Sequence, residues 1–332
     1  MKQDKAPGYL VISLDFELYW GMFDKVTLEE YGANIRGVRT ALPRILELFR
    51  EHTIHATWAG IGMLMARNKS ELMELLPPIH VRPKYEDEKV SAYYHIEHGS
   101  IGDDEESDPY HFAPSLVQMI AETPGQEFAN HTFSHYYCID GYENDPAIFA
   151  RDLEAHDQIS KSYGITTRSI IFPRNQSSEE ALRVCKEKGI TAYRGNETHV
   201  LYRPRKDSEQ TLLIRGFRLL DHYLNITGHH TYTLPKEDAN GMINIPASRF
   251  FRPWNRTFSI FEWLKLRRIK KSMTHAAKQG EVFHLWWHPH NFGINQKQNL
   301  QNLEEIIRHF EFLKKKYGMQ TASMYDIVSV AQ

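Results

Sequence analysis

Short apolar runs alternate along this chain with longer stretches of helical period. Residues 9–14, Y-L-V-I-S-L, are apolar on both faces, as buried parallel strands tend to be. Residues 35–51 then place Val38, Leu42, Ile45, Leu46 and Phe49 on one stripe, the spacing of an amphipathic helix with Pro43 early in it. The succession recurs, with strands predicted at 54–61, 127–129, 168–172, 190–193, 242–245 and 282–287, and a short one at 319–321. Helices are predicted at 67–76, 114–121, 146–163, 178–188, 257–278 and 299–317, and at the C-terminal end. Strands alternating with helices imply an α/β fold with a parallel sheet, and about seven such units fit a distorted (β/α) barrel. No G-x-G-x-x-G opens the first helix, which disfavours a dinucleotide-binding sheet. Residues 1–332 are therefore read as a single domain, with a polar insertion at about 79–112. The run Asp103-Asp104-Glu105-Glu106 within it is expected to be a solvated face, and the insertion itself a surface excursion more than a lid.

Composition narrows the class without naming a chemistry. An apolar content of 41% and a charged content of 25% are those of a soluble globular protein, and a net charge of −2 argues against nucleic acid as the partner. The two cysteines, Cys138 and Cys185, form neither a disulfide framework nor a zinc knuckle. No apolar run is long enough to span a bilayer, and no apolar leader precedes the first strand. The expected location is cytoplasmic, and the oligomeric state is left open.

The stretch Glu127 to His135, E-F-A-N-H-T-F-S-H, is where candidate chemistry begins. His131 and His135 stand four apart, a spacing that puts both imidazoles on one face of a helix or helical turn and lets them share an ion. The spacing alone is weak, since His284 and His288 repeat it. Position is the stronger signal: the pair follows a strand, where α/β barrels place their sites. Asp15 and Glu17 follow the first strand two residues apart, so both carboxylates face one side. Arg174 with Asn175, and His288 with His290, follow two more strands. His284 is expected to point inward as a satisfied core histidine.

In this order the motifs resemble those of the polysaccharide deacetylases, the NodB-homology domain of carbohydrate esterase family 4. The sequence Ser13-Leu14-Asp15-Phe16-Glu17 stands where the family has T-F-D-D-G, and resembles an Asp-x-Glu variant of it. His131-Thr132-Phe133-Ser134-His135 matches its H-[S/T]-x-x-H, and Ala56-Thr57-Trp58 its second strand. Phe172-Pro173-Arg174-Asn175-Gln176 stands for R-x-P-Y-G, and Trp286-Trp287-His288 for L-x-H. The resemblance implies a NodB-like barrel and a divalent metal ion, zinc first, held by Glu17, His131 and His135. It implies Asp15 as general base and His288 as general acid, with Arg174 pairing with the base. Asn175 or Gln176 would supply a backbone amide to the oxyanion, and Trp286 would wall the acyl pocket. The spacing leaves open which of Asp15 and Glu17 touches the ion. An Asp-x-x-Asp-Trp motif is missing after Tyr193, where Arg194-Gly195-Asn196-Glu197 stands instead.

The implied activity is metal-dependent removal of an N-acetyl group from an amino sugar, in a surface polysaccharide or its nucleotide- or lipid-linked precursor. Two other readings are a sugar deformylase on the same scaffold and a glycan-binding relative without catalysis. Arg249, Arg252 and Arg256 with interleaved aromatics are placed to grip a phosphate and stack on a sugar, or to form a basic loop with its aromatics inward. Of these, Arg249 is the one assigned to substrate. The helix 257–278 has Ile260, Trp263, Leu264, Ile269 and Met273 on one side and Lys265, Arg267, Arg268 and Lys271 on the other. That pattern fits an outer barrel helix, and also peripheral contact with an anionic membrane.

Overall fold

The computed structural model describes residues 6–139, 145–197, 199–202 and 211–331. Among these residues nine strands form one sheet in which every ladder is parallel. They are β1 (Tyr9–Phe16), β2 (Ala56–Gly60), β3 (Gln126–Asn130), β4 (Ser169–Ile170), β5 (Ala192–Tyr193), β6 (Ile243–Asn244), β7 (Arg249–Phe250), β8 (Val282–Trp287) and β9 (Gln320–Ala322). The spatial order is β6-β5-β4-β3-β2-β1-β8-β7, and β9 adds to the first residues of β1. All eight residues of β1 are buried, as a central parallel strand requires.

The two ends of this order meet on one stretch of chain. Ile245 and Ala247 donate to Tyr193 and Gly195 at 2.9 Å, whereas Ser248 and Phe251 donate to His284 and Trp286 at 2.9 and 2.7 Å. The segment from β6 to β7 thus bonds to β5 along its first half and to β8 along its second, curling the sheet into a barrel. Sequence pattern predicts a strand only over 242–245, because Pro246 and the polar Ser248-Arg249 interrupt the apolar run.

Alternation along β1 separates two cores. Leu10, Ile12, Leu14 and Phe16 point outward to the helices, while Tyr9 and Val11 point inward with Ala59, Ala129, Ala192, Ile243 and Ile245. The apolar interior residues from β2, β3 and β5 are Ala59, Ala129 and Ala192, which leave room for larger groups above them. Met324, Ile327 and Val328 of the helix Met324–Ala331 join that interior cluster near the start of β1.

The predicted helix 35–51 is two helices, Leu28–Arg36 and Val38–Glu51, meeting at Gly37. A Cβ on Gly37 would lie 2.0 Å from the Gly293 carbonyl oxygen, so only glycine lets the helices seat against the turn after β8. The insertion is no loose excursion. It carries the helix Ala92–His98, and Tyr93, Ile101 and Phe112 are part of the main core. Its acidic run is engaged as well, since Glu105 pairs with Arg39 and Asp104 caps the turn at Glu106 and Ser107. Trp20, just past β1, donates to the His111 carbonyl at 2.7 Å.

Arg249 belongs to the wall of the fold, a correction to its assignment as a substrate-binding residue. Its Nη1 meets Asp221 Oδ2 at 2.6 Å, and Arg268 Nη2 meets Oδ1 of the same carboxylate at 2.9 Å. Tyr202 and Thr227 also donate to Asp221. One buried carboxylate thereby ties the closing segment to the helix Glu262–Gln279. Removing it leaves two buried guanidiniums without a counter-charge. Asp221→Ala is expected to lower the unfolding free energy by about 3–5 kcal/mol, read from urea denaturation.

Candidate metal centre

Polar groups gather where the strands end. Glu17 directly follows β1, and its Oε1 lies 3.1 Å from His131 Nε2 and 3.5 Å from His135 Nε2. Donor atoms of these three buried residues all lie within 4.8 Å of one another. His131 Nδ1 is 2.7 Å from the Ile171 carbonyl oxygen, a pure acceptor, so the proton of the neutral ring sits on Nδ1. Nε2 then turns a lone pair toward a carboxylate, an arrangement that calls for a cation between them. His135 Nδ1 contacts Tyr137 Oη at 3.0 Å, while its Nε2 is buried without a hydrogen-bond partner. Burial pushes the His135 pKa down, which keeps a lone pair available. The donor set of one carboxylate and two imidazoles fits a divalent ion such as zinc.

The histidines do not lie on a helical turn, as their spacing predicts. Thr132 and His135 both adopt left-handed backbone, with φ of +62° and +56°. An irregular loop after β3 brings the rings together, and other elements hold it. Asp152, on the helix Pro146–Lys161, accepts from Phe133 N at 2.6 Å and Ser134 N at 3.2 Å, and from the Ser134 hydroxyl. Tyr85 of the insertion accepts from Tyr137 N at 3.1 Å.

Asp15 is held differently. Arg194 grips it in a two-point pair, Nη1 to Oδ1 at 2.6 Å and Nη2 to Oδ2 at 2.7 Å. Burial opposes ionisation of Asp15, but Arg194 and then His288 outweigh it and hold the carboxyl below its usual range. Arg194 also reaches Ser13 Oγ at 3.0 Å and Asn175 Oδ1 at 2.7 Å. Ser13 in turn meets His284 Nε2 at 2.8 Å, and His284 Nδ1 meets the Ile245 carbonyl, which makes His284 a core histidine.

Arg194 is the residue that motif matching misses, and it takes the place expected of Arg174. Arg174 instead pairs with Asp24 Oδ2 at 2.6 Å and stacks over Tyr137 at 4.0 Å. Strand parity is the overlooked signal. Ala192 points into the barrel and Tyr193 out, so Arg194 points in. The backbone amides of Asn175 and Gln176 donate to Phe172 and Pro173 at 2.9 and 3.1 Å, so the turn itself already uses them. They are not the oxyanion donors expected of them.

His288 completes the cluster, with Nε2 3.5 Å from Glu17 Oε1 and 3.8 Å from Asp15 Oδ2. It stacks on His290 and faces the edge of Trp286. Trp286 lies under the Arg194 guanidinium at 4.2 Å. An open cavity of about 470 Å³ spreads above these groups, within the range of small-ligand sites. Asp15, Glu17, His135, Trp286 and His288 line its floor; Asn175, Arg174, Tyr202, Arg218, His222 and Phe250 are among its walls.

A family profile described as polysaccharide deacetylase matches residues 22–193, just over half of the chain. The chain belongs to the polysaccharide deacetylase family. The matched stretch holds His131, His135 and Arg174, while Asp15, Glu17, Arg194 and His288 lie outside it. No curated protein matches the sequence. Among solved structures, the deacetylase fold is similar to a protein described as a polysaccharide deacetylase from Mycobacterium smegmatis, with a TM-score of 0.59 and 12% identity over 99% of this chain and 94% of that one. It is also similar to an α-amylase from Thermotoga maritima, with a TM-score of 0.55 and 10% identity over 98% and 75% of the two chains. An allantoinase gives 0.51 and 12% identity over 97% and 88%. At such identities the likeness is one of fold.

The donor set carries a direct expectation. Purified chain equilibrated with zinc should hold close to one ion per molecule by elemental analysis, and His135→Ala should hold none. Asp152→Ala, which frees the loop without touching a donor, should weaken zinc affinity by about 10–100-fold in competition with a chelating dye.

Proposed function

We propose that this deacetylase-family chain hydrolyses the N-acyl group of an amino sugar, with a divalent ion, zinc first, held by Glu17, His131 and His135. The observation that carries the reading is that the donor atoms of Glu17, His131 and His135 converge to within 4.8 Å of one another, with Glu17 and His135 on the same cavity floor as Asp15 and His288. Bound there, the ion lowers the pKa of a water and polarises the amide carbonyl. Asp15 accepts the proton of the attacking water. Arg194 engages both oxygens of Asp15, keeping it ionised and fixing its direction. That engagement supports Asp15 as the base and Glu17, whose Oε1 faces the two imidazoles, as the ligand. His288 is partly buried, lines the cavity and donates a proton to the leaving amine, which would otherwise depart as a poor leaving group. Trp286 walls the acyl side and Asn175 the sugar side.

We read residues 1–332 as one catalytic domain, since β9 near the C-terminus pairs with the start of β1. The substrate we favour is a nucleotide- or lipid-linked precursor of a surface polysaccharide, handled in the cytoplasm. Arg218 and His222 on the cavity wall suit a phosphate beside the sugar. The buried, unpaired thiols Cys138 and Cys185 suit a reducing compartment. No helix among the described residues is long and apolar enough to cross a membrane.

Trp286 favours one second reading, that of a deformylase. Its indole is wedged between Arg194 and His288 and narrows the acyl side. A screen of N-acetyl and N-formyl amino sugars, measuring released acetate and formate, decides between them. Acetate is expected, and formate alone would assign the deformylase. Release of neither from a zinc-loaded chain that still binds the sugars would leave a glycan-binding protein.

The roles separate by mutation. Asp15→Asn should lower kcat by about 10²–10⁴-fold while zinc content is unchanged. Arg194→Met should cost about 100-fold in kcat through misdirection of Asp15. Arg174 pairs with Asp24 instead of Asp15, so Arg174→Met should act mainly on KM. Equal losses of kcat in Arg174→Met and Arg194→Met would refute the assignment of Arg194 as the residue that positions the base.

A further inference from the structure

Among the described residues, eight of the fifteen exposed large apolar side chains sit on two neighbouring segments of chain. The first is the helix Leu212–Tyr223 with the residues just after it. Leu213, Phe217, Leu220 and Leu224 recur there at intervals of four, three and four, so they form one outward stripe, with Leu213 75% exposed. The second is the turn Arg256–Phe261 leading into the helix Glu262–Gln279, which exposes Ile260, Phe261 and Trp263, the last at 57%. The apolar stripe of this helix is not wholly turned to the barrel, as an outer barrel helix would have it. Leu266, Ile269 and Met273 are buried, but Ile260 and Trp263 face solvent. Tyr223 joins the two segments, with its ring 6.1 and 6.3 Å from those of Phe258 and Phe261.

Charge identifies what this face meets. Residues 249–271 hold eight lysines and arginines and a single acid, Glu262, in a chain of net charge −2. Glu262 is spent on Lys265, and Asp221 of the first helix on Arg249 and Arg268. Arg256, Arg267 and Lys271 stay exposed, and the last two line a groove with Leu224 and Leu264. An apolar stripe beside unopposed cations is the pattern of a protein resting on anionic lipid. A second copy of the same face would set these cations against themselves. The helix that carries the stripe also sends Arg218 and His222 into the catalytic cavity, so the face and the cavity share a rim.

We infer that this face docks on an anionic bilayer surface and opens the catalytic cavity toward an amino sugar carried on a membrane lipid. The docking stands on the patch alone, while the choice of substrate rests on the deacylase reading above. Phe217 and Trp263 enter the headgroup boundary, and Arg256, Arg267 and Lys271 lie at the level of the lipid phosphates.

Co-sedimentation of the full chain with vesicles of phosphatidylcholine, and of phosphatidylcholine mixed equally with phosphatidylglycerol, tests it. Binding is expected to the anionic vesicles, to weaken as salt is raised, and to fall more than about tenfold in the double variant Arg267→Ala/Lys271→Ala. The double variant Phe217→Ser/Trp263→Ser should lose binding to a similar extent. All four positions lie outside the cavity, so zinc content and hydrolysis of a soluble acylated amino sugar should not change. Failure of hydrolysis with vesicle binding intact would overturn the enzymatic reading and leave the docking standing. Absence of vesicle binding, or equal binding by wild type and both variants, would overturn the docking. So would a dimer in sedimentation equilibrium that Phe217→Ser/Trp263→Ser abolishes, because the face would then belong to a second copy.

Discussion

Two carboxylates, Asp15 and Glu17, are buried within two residues of each other at the end of one strand. Neither can stay ionised there without positive charge close by, and each is served from a different side. Arg194 reaches across the barrel interior to Asp15, while imidazoles surround Glu17. Much of the architecture serves this division. Small side chains inside β2, β3 and β5 leave space for a guanidinium, and the Ser13–His284 pair gives it a polar layer to stand on. Arg194 also holds Asn175, so the loop after β4 depends on the same charge.

The loop that carries His131 and His135 is held by contacts distant in sequence. Its backbone has left-handed residues that no helix tolerates, and such strain persists only where surrounding structure insists on it. Asp152 from one helix and Tyr85 from the insertion supply that insistence. The insertion is therefore structural at its base: it packs into the main core and supports the donor loop from behind.

The closing segment between β5 and β8 faces a related problem of buried charge and solves it with one residue. Asp221 takes two guanidiniums, so Arg249 and Arg268 serve the barrel wall instead of the substrate. With Asp221 and Glu262 consumed in such pairs, Arg256, Arg267 and Lys271 are left exposed beside an apolar stripe. The character of that surface thus follows from how the barrel is closed.

Alternation of apolar strands and amphipathic helices was enough to determine a parallel α/β barrel, because period and burial are local properties of the chain. Strand-end positions likewise brought Asp15, Glu17, His131, His135 and His288 to one rim, because a parallel barrel presents all its C-terminal strand ends on one side. Side-chain partners were not legible. Which arginine grips Asp15 depends on the inward parity of Arg194 and on the alanines beneath it, and Arg174 lost that role to a left-handed turn that aims it at Asp24. Arg249 looked like a ligand for phosphate because its partner Asp221 lies 28 residues away. The β6–β7 closure escaped detection because each half pairs with a different strand and neither is long enough to show a period. Local pattern decided the frame and the rim, whereas the pairing of charges was decided only by tertiary structure, since it depends on which distant groups the fold buries together.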